Sequence, residues 1–264
     1  MVDAPMLRGS VAPEFSGWYI RGDGGVGINN LRSSTSDFLP GFVVPSFQYD
    51  YAKLGDSGLI GIGVGYQFNN WFRADLTGEY RGSANYHAVA SYDGIAAGVN
   101  CGQVLGGSPR CSDIYNGTVS STVFMANGYV DLGTWAGLTP YIGAGVGFAN
   151  NKSGMFTDTA LGLSGGGFST GASKTNFAWA GMAGLSYAVS QNLKLEMGYR
   201  YLNLGSVNSG AIICQPVGIA CPQEVQKFKL ASHDLRIGMR WMINDTPAPM
   251  MAPAPMMQPL VRKY

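Results

Sequence analysis

The sequence predicts an all-β protein, an eight-stranded antiparallel transmembrane β-barrel with long extracellular loops and short periplasmic turns. Three observations support this fold class. Apolar residues recur with a period of two along eight segments. The connections between these segments alternate between long and short, which is typical of outer-membrane barrels. Only 12% of the 264 residues are charged, against about 25% in soluble globular proteins.

Each predicted strand has one apolar face and one polar or glycine-rich face. In the second strand, for example, Ile60, Ile62 and Val64 alternate with glycines. The eight predicted strands span 18–29, 60–68, 72–81, 122–132, 141–148, 177–189, 193–201 and 230–243. The predicted long loops are 29–58, 82–117, 149–175 and 203–228, and the short turns are 69–70, 133–138 and 190–192. An even number of strands puts both chain ends on the short-turn side, in the periplasm.

Two segments flank the predicted barrel, which occupies residues 16–243. Residues 1–15 contain two prolines and no clear period, and they predict a periplasmic N-terminal extension. Residues 244–264 are rich in proline and methionine and predict an extended periplasmic tail. No signal peptide precedes Asp3, so we expect a mature or trimmed form of an exported protein.

Alternation alone leaves open which face of the barrel points inward. A soluble ligand-binding barrel of lipocalin type also alternates, with its apolar face inside. The low charge, the loop asymmetry and the aromatic residues near strand ends favour the membrane version, because aromatic side chains form girdles at the membrane interfaces. These aromatics are Trp18, Tyr19, Phe68, Trp71, Phe72, Tyr80, Trp135, Tyr187, Tyr199, Tyr201 and Trp241.

The polar faces of the predicted strands carry thirteen charged residues, seven basic and six acidic. They are Arg21, Asp23, Arg73, Asp75, Glu79, Arg81, Asp131, Lys194, Glu196, Arg200, Asp234, Arg236 and Arg240. An eight-stranded barrel is just wide enough to be filled by side chains, so near-balanced charges on its inner face predict an ion-pair network that plugs the lumen. A small ion-conducting path is the alternative, because the glycines of 60–68 and 141–148 leave room for water.

The four cysteines lie in two local stretches, Cys101 with Cys111 and Cys214 with Cys221. They form no Cys-x-x-Cys motif, and the two histidines are not at zinc-ligand spacing. We therefore expect two loop disulfides, Cys101–Cys111 and Cys214–Cys221, formed in an oxidising compartment, and no metal site.

Four segments resemble the α-proteobacterial outer-membrane β-barrel ("porin family") proteins, relatives of the OmpA and opacity-protein barrels. They are 17–22 (Gly-Trp-Tyr-Ile-Arg-Gly), 139–147, 199–205 (Tyr-Arg-Tyr-Leu-Asn-Leu-Gly) and 233–241. The resemblance covers about residues 16–243 and implies an eight-stranded barrel in the outer membrane of a Gram-negative bacterium. The chain departs from the family in two ways. Residues 244–264 follow the closing strand, and the peptidoglycan-binding domain of OmpA-type proteins is absent.

The resemblance implies a structural, surface-antigen or adhesive role and no shared catalytic residues, so we expect no enzymatic activity and no cofactor. The alternatives are a small passive diffusion channel for ions or small solutes and a lipid-modifying enzyme that uses His87 or His233. The balanced charge excludes a nucleic-acid partner. The predicted partners are outer-membrane lipid and lipopolysaccharide, with the termini available to peptidoglycan or a periplasmic protein. The oligomeric state stays open.

Overall fold

The structure is a computed structural model that describes residues 16–38, 44–94, 96–97, 101, 104–105, 108–161, 165–215 and 223–243. Thirteen strands occur in this part of the chain. They are β1 (Gly17–Phe38), β2 (Gln48–Leu54), β3 (Ser57–Gln67), β4 (Phe72–Asp93), β5 (Val104–Leu105), β6 (Ser108–Asp131), β7 (Leu138–Ser153), β8 (Phe156–Leu161), β9 (Gly166–Ser169), β10 (Ala172–Ala188), β11 (Leu193–Asn208), β12 (Ile213–Gln215) and β13 (Glu224–Met242). Over the same residues, no helix is long and apolar enough to cross a membrane.

Eight of the strands form a closed antiparallel ring. The ring runs β1, β3, β4, β6, β7, β10, β11 and β13, and returns to β1. The closing pair runs from Tyr19 opposite Met242 to Phe38 opposite Glu224. Within lipid, such closure gives every backbone N–H and C=O group of the sheet a partner. The predicted eight-stranded antiparallel barrel is confirmed.

Several ring strands are much longer than predicted, because they continue into segments that the sequence assigned to long loops. β1 runs to Phe38, β4 to Asp93 and β11 to Asn208, and β6 and β13 begin well before their predicted starts. The loop boundaries 29–58, 82–117, 149–175 and 203–228 are therefore wrong in part. The other five strands add to these extensions on the extracellular side, where β2 pairs with β4, and β8 with β6.

The predicted strands ended early because β-bulges break the period of two. Register shifts lie between Leu31 and Ser33 in β1, between Arg81 and Ala84 in β4, and between Asn203 and Gly205 in β11. A bulge inserts one extra residue and moves the following side chains to the opposite face. The predicted ends at residues 29, 81 and 201 fall within two or three residues of these bulges.

The outer surface of the ring carries a belt of exposed apolar side chains, for example Ile62 at 72% and Ile237 at 68% exposure. Most of the predicted interface aromatics lie on this surface, namely Trp18, Phe68, Trp71, Tyr80, Trp135, Tyr187, Tyr199 and Trp241, while Phe72 and Tyr201 are half-buried. The prediction is wrong for Tyr19. This side chain has the parity of Arg21 and is fully buried in the lumen.

The predicted disulfide between Cys101 and Cys111 is confirmed. The predicted Cys214–Cys221 pair cannot be compared, because Cys221 lies outside the described residues. The N-terminal extension 1–15 and the tail 244–264 lie outside them too.

The bulge in β11 depends on Gly205, whose φ is +77°. A Cβ at this position would lie 2.5 Å from the Cβ of Asn176. We expect Gly205→Ala to destabilise the extracellular end of β11 by about 1–2 kcal/mol, because an L-residue is strained in the left-handed region. The measurement is the unfolding temperature of the refolded protein, followed by heat-modifiable gel migration.

The matched control is Gly58→Ala, because a Cβ at Gly58 meets nothing within 4 Å. Equal unfolding temperatures for the two variants would contradict this role of Gly205.

Candidate functional site

The lumen contains six arginines and six carboxylates, all buried. They are Arg21, Arg73, Arg81, Arg200, Arg236 and Arg240, with Asp23, Asp75, Glu79, Asp131, Glu196 and Asp234. Each of them lies within 4.0 Å of an opposite charge. Lys194, the remaining predicted member, is half-buried at the periplasmic end of β11, opposite Arg240.

The extracellular half of this lumen cluster is organised around Glu79 and Asp234. Arg81 donates through both terminal nitrogens to Asp234, at 3.0 and 2.8 Å. Arg200 donates through Nη2 to Glu79 at 2.7 Å and to Asp234 at 2.6 Å. Charge-assisted, two-point contacts of this kind are short and directional, so they fix the side chains of three different strands against one another.

The periplasmic half is organised around Glu196. Its carboxylate lies 3.2 Å from Arg73, 3.2 Å from Arg240 and 3.4 Å from Arg21. The Arg73 guanidinium also sits 4.2 Å from the centroid of the Tyr129 ring. Stacking on an aromatic face suits a guanidinium removed from water.

Asp23 joins the two halves of the lumen cluster. Its carboxylate contacts Arg21 of the periplasmic half at 2.5 Å and Arg236 of the extracellular half at 2.8 Å. A cavity beside these groups has a volume of about 10 Å³, lined also by Glu196 and Arg200. That is about the space of one water molecule.

The glycines that favoured a water path face side chains instead. A Cβ on Gly65 would lie 2.3 Å from the Tyr19 ring, and one on Gly143 would lie 2.6 Å from the Tyr129 ring. Gly65 and Gly143 therefore make room for aromatic side chains in the lumen, while Gly63 and Gly145 lie against Thr77 and Asn127. The sequence could not show this, because the filling groups come from other strands.

A layer of apolar side chains covers the lumen cluster on its extracellular side. Tyr86 stacks on Phe228 with 4.9 Å between centroids, and Phe156, Leu204 and Leu230 are buried beside them. All but Leu230 lie in segments predicted as loops, so sequence reasoning missed them. One sequence pattern could have revealed the continuation of β4. Its buried residues beyond the bulge have even numbers (Ala84, Tyr86, Ala88 and Ala90), whereas its lumen-facing residues up to Arg81 have odd numbers.

Above the apolar layer, three carboxyl groups share a largely buried site with Tyr115. The Tyr115 hydroxyl donates to Glu224 Oε2 at 3.0 Å, and Tyr115 pairs with Asp158 across β6 and β8. Burial raises the pKa of Asp158 to about 8, and the nearby charges of Asp113 and Glu224 raise it further. Burial likewise raises the pKa of Asp113 to about 6 and that of Glu224 to about 7.

The two histidines lie on different strands, each beside a neutral side chain. His87 Nδ1 is 2.8 Å from Asn116 Oδ1, and His233 Nδ1 is 2.6 Å from the Tyr199 hydroxyl. Among the residues described, no group of three or more His, Cys, Asp or Glu side chains could hold a metal ion.

Removing Arg200 tests the lumen cluster. Arg200→Ala takes one cation from both Glu79 and Asp234, and breaking a buried pair in this way costs about 3–5 kcal/mol. We expect a lower unfolding temperature together with a larger ion leak through planar bilayers.

The matched control for Arg200→Ala is Lys227→Ala. Its pair with Asp37 is exposed, at 42% and 55% of the two side chains, and exposed pairs contribute about 0–1 kcal/mol. An unchanged unfolding temperature with altered ion selectivity in Arg200→Ala would contradict the plug and favour a pore.

The carboxyl site above the apolar layer makes extracellular stability depend on pH. Because the folded pKa values are raised, the folded state keeps protons that the unfolded chain releases above pH 3.8 to 4.5. The contribution of these three groups to stability is then highest in acid and falls as the pH rises to about 8. We expect Glu224→Gln to flatten this fall, measured as unfolding temperature against pH.

Asp37→Asn, at an exposed carboxylate, should leave the pH dependence as it is in the unmodified protein. A stability that rises between these pH values would contradict the role assigned to the three carboxyl groups.

The comparisons with known proteins agree with this architecture. Residues 8–214 match the family model described as outer membrane protein beta-barrel domain. An uncharacterized protein of Brucella abortus is 35% identical over 223 residues, 79% of this chain and 75% of that one. The outer membrane protein PagN of Salmonella typhimurium is 33% identical over 73% of this chain and 76% of that one.

A putative adhesin of Rickettsia felis is 26% identical over 85% of this chain and 87% of that one. Among solved structures, the outer membrane protein OprG from Pseudomonas aeruginosa has a TM-score of 0.53 at 13% identity, covering 86% of this chain and 96% of that one. The likeness to OprG concerns the fold alone. The chain therefore belongs to the outer-membrane β-barrel protein family, and it lies in the outer membrane of a bacterium.

Proposed function

We propose that the protein is a closed barrel that anchors an adhesive β-sheet on the cell surface. The filled lumen is the observation that carries this proposal. Twelve buried charges occupy the membrane-spanning part, and an apolar layer covers them on the extracellular side. Two cavities lined by described residues, one beside the lumen cluster and one beside the apolar layer, each have a volume of about 10 Å³. A barrel filled in this way acts as a rigid support.

The energetics of the lumen cluster argue against the rival proposal, a passive diffusion channel. A conducting path needs several of these ion pairs to separate. Separation leaves buried charges without their partners, and each such loss costs about 3–5 kcal/mol. The closed state is therefore the dominant one, and a channel would need a conformational change that moves Arg200 away from Glu79 and Asp234.

The extracellular sheet supports an adhesive role. β1, β4, β6 and β13 continue beyond the apolar belt, and β2, β8, β9 and β12 pair onto them or onto each other. Surface loops that only connect strands do not need such order. The relative from Rickettsia felis is named a putative adhesin, which gives this role further support.

The outer face offers cations to the lipid phosphates of the outer leaflet. Arg32 and Lys229 lie next to each other on β1 and β13, four residues above the exposed Ile28 and its partner His233, and both are exposed. We infer that they contact lipopolysaccharide phosphate, because Arg and Lys pair with phosphate at such interfaces. A periplasmic contact of the termini with peptidoglycan remains a proposal from the sequence.

A catalytic role has less support than the adhesive one. A nucleophile or general base needs an orienting partner within hydrogen-bond reach. His87 and His233 have an amide and a phenol as their nearest partners. The lipid-modifying alternative would require substrate to bring further groups to them.

Expression of the full chain in a non-adherent Gram-negative strain tests the proposal. We expect these bacteria to adhere to cultured epithelial cells, and the purified protein to give no conductance steps in planar bilayers. The control is a strain that exports an unrelated porin barrel, which shows whether expression of any outer-membrane barrel changes adhesion. Regular conductance steps from the unmodified protein, without adhesion, would overturn the proposal in favour of the channel.

A further inference from the structure

The extracellular part of the barrel wall is split between β1 and β2. β1 pairs with β3 only as far as Gly27 opposite Ser57. Beyond that rung, β1 continues along β13, whereas β2 pairs with β4. In the described part of the chain, no backbone hydrogen bond joins β1 to β2. Each of these two strands therefore has one open edge.

The open edges face a cleft of about 440 Å³. Ser34, Ser36 and Phe38 line it from β1, and Phe47 and Tyr49 line it from the other side. Only side chains bridge the split among the residues described. The Asn29 amide donates to the Gly55 carbonyl at 2.7 Å, and the Ser36 and Tyr49 hydroxyls are 2.7 Å apart.

The ladder of hydrogen bonds identifies the backbone groups that β1 presents to the cleft. The Ile243 N–H donates to the Trp18 carbonyl at 2.8 Å. Below the bulge, the backbone groups of the even-numbered residues of β1 therefore form hydrogen bonds with β13. The bulge between Leu31 and Ser33 reverses this order, and odd-numbered residues bond to β13 above it. The N–H and C=O groups directed at the cleft therefore belong to Ser34, Ser36 and Phe38.

We propose that this cleft binds an extended peptide segment of a partner protein, which adds as a strand to the open edge of β1. The proposal rests on the adhesive function above and names its partner class. An open strand edge presents N–H and C=O groups in alternation, and an extended polypeptide is the ligand that complements them.

The side chains of the cleft suit the same ligand. Phe38, Phe47 and Tyr49 form edge-to-face contacts at 5.3 and 5.4 Å between centroids. They offer apolar surface to every second side chain of an added strand, while backbone pairing supplies the rest of the affinity.

The charges beside the cleft do not favour a polyanion such as a sulfated glycan. The Lys227 ammonium pairs with Asp37, and Asp50 accepts a hydrogen bond from the Gln48 amide at 2.8 Å. These charges nearly cancel at the cleft itself, and the exposed Arg32 and Lys229 lie below it on the outer face, so the cleft offers no cluster of cations to dense negative charge.

The test uses purified full-length protein and a short fluorescent peptide of alternating threonine and valine. We expect the peptide to bind and to slow hydrogen exchange at the Ser34 and Ser36 amides. Ser34→Pro removes one N–H on the open edge without touching the β13 ladder, and we expect at least about fivefold weaker binding. Ser34→Ala is the matched control and should bind as the unmodified protein does.

Four outcomes would overturn the proposal, three of them with the peptide or the free protein and one with heparin. The first three are no binding of the peptide, equal binding of a peptide N-methylated at alternate backbone nitrogens, and Ser34 and Ser36 amides already protected in the free protein. Binding of heparin in place of the peptide would also overturn it, in favour of a polyanion.

Adhesion assays separate this proposal from the adhesive function on which it rests. If the unmodified protein adheres and Ser34→Pro adheres equally, strand addition is wrong and the adhesive function stands. If the unmodified protein does not adhere, the adhesive function fails, whatever the peptide does.

Discussion

The pairing of β1 with β13 is the constraint on which the rest of the structure depends. Lipid offers no water to an unpaired backbone, so a membrane sheet must close on itself. Closure at eight strands fixes a lumen only wide enough for side chains. Every inward-facing residue therefore has to pack against the opposite wall, and each buried charge needs an opposite charge in the same small space.

In the lumen cluster, a single charged side chain can pair with two or three opposite charges. Glu196 serves three arginines, and Arg200 serves two carboxylates. Buried ion pairs of this kind add little net stability compared with an apolar filling, because desolvation opposes the attraction. Their effect is asymmetric, since removing one member leaves the others buried and unpaired. The cluster therefore holds one arrangement of the wall, as the proposed closed barrel requires.

Above the membrane, the same strands serve a different purpose. The apolar layer around Tyr86 and Phe228 separates the lumen cluster from the outside, and ladders continue beyond it. Two features of this region are unusual for a merely structural sheet. Three carboxyl groups are largely buried around Tyr115, and the wall is split beside Ser34 and Ser36. Both lie where a surface protein meets its surroundings, which fits a binding role.

The sequence by itself determined the strand number, the face that points inward and the Cys101–Cys111 disulfide. The strand number and the disulfide follow from local patterns. The inward face also required the low charge, the loop asymmetry and the aromatic positions, because parity groups the side chains of one strand without saying which group faces the lumen. Parity also explains where sequence reasoning stopped, since bulges near Leu31, Arg81 and Asn203 reverse it. Because one inserted residue changes the parity, a prediction based on a constant period ends the strand at the bulge although the strand continues.

Only the tertiary structure decided which charges pair, what fills the space beside the glycines and where the wall splits. Asp23 and Arg236 are 213 residues apart in sequence and meet because β1 and β13 close the ring in one register. Tyr19 fills the space over Gly65 for the same reason, because β1 lies beside β3. The split above Gly27 exists because β2 follows β4 while β1 follows β13. Register and closure act between strands, and no pattern within one strand contains them.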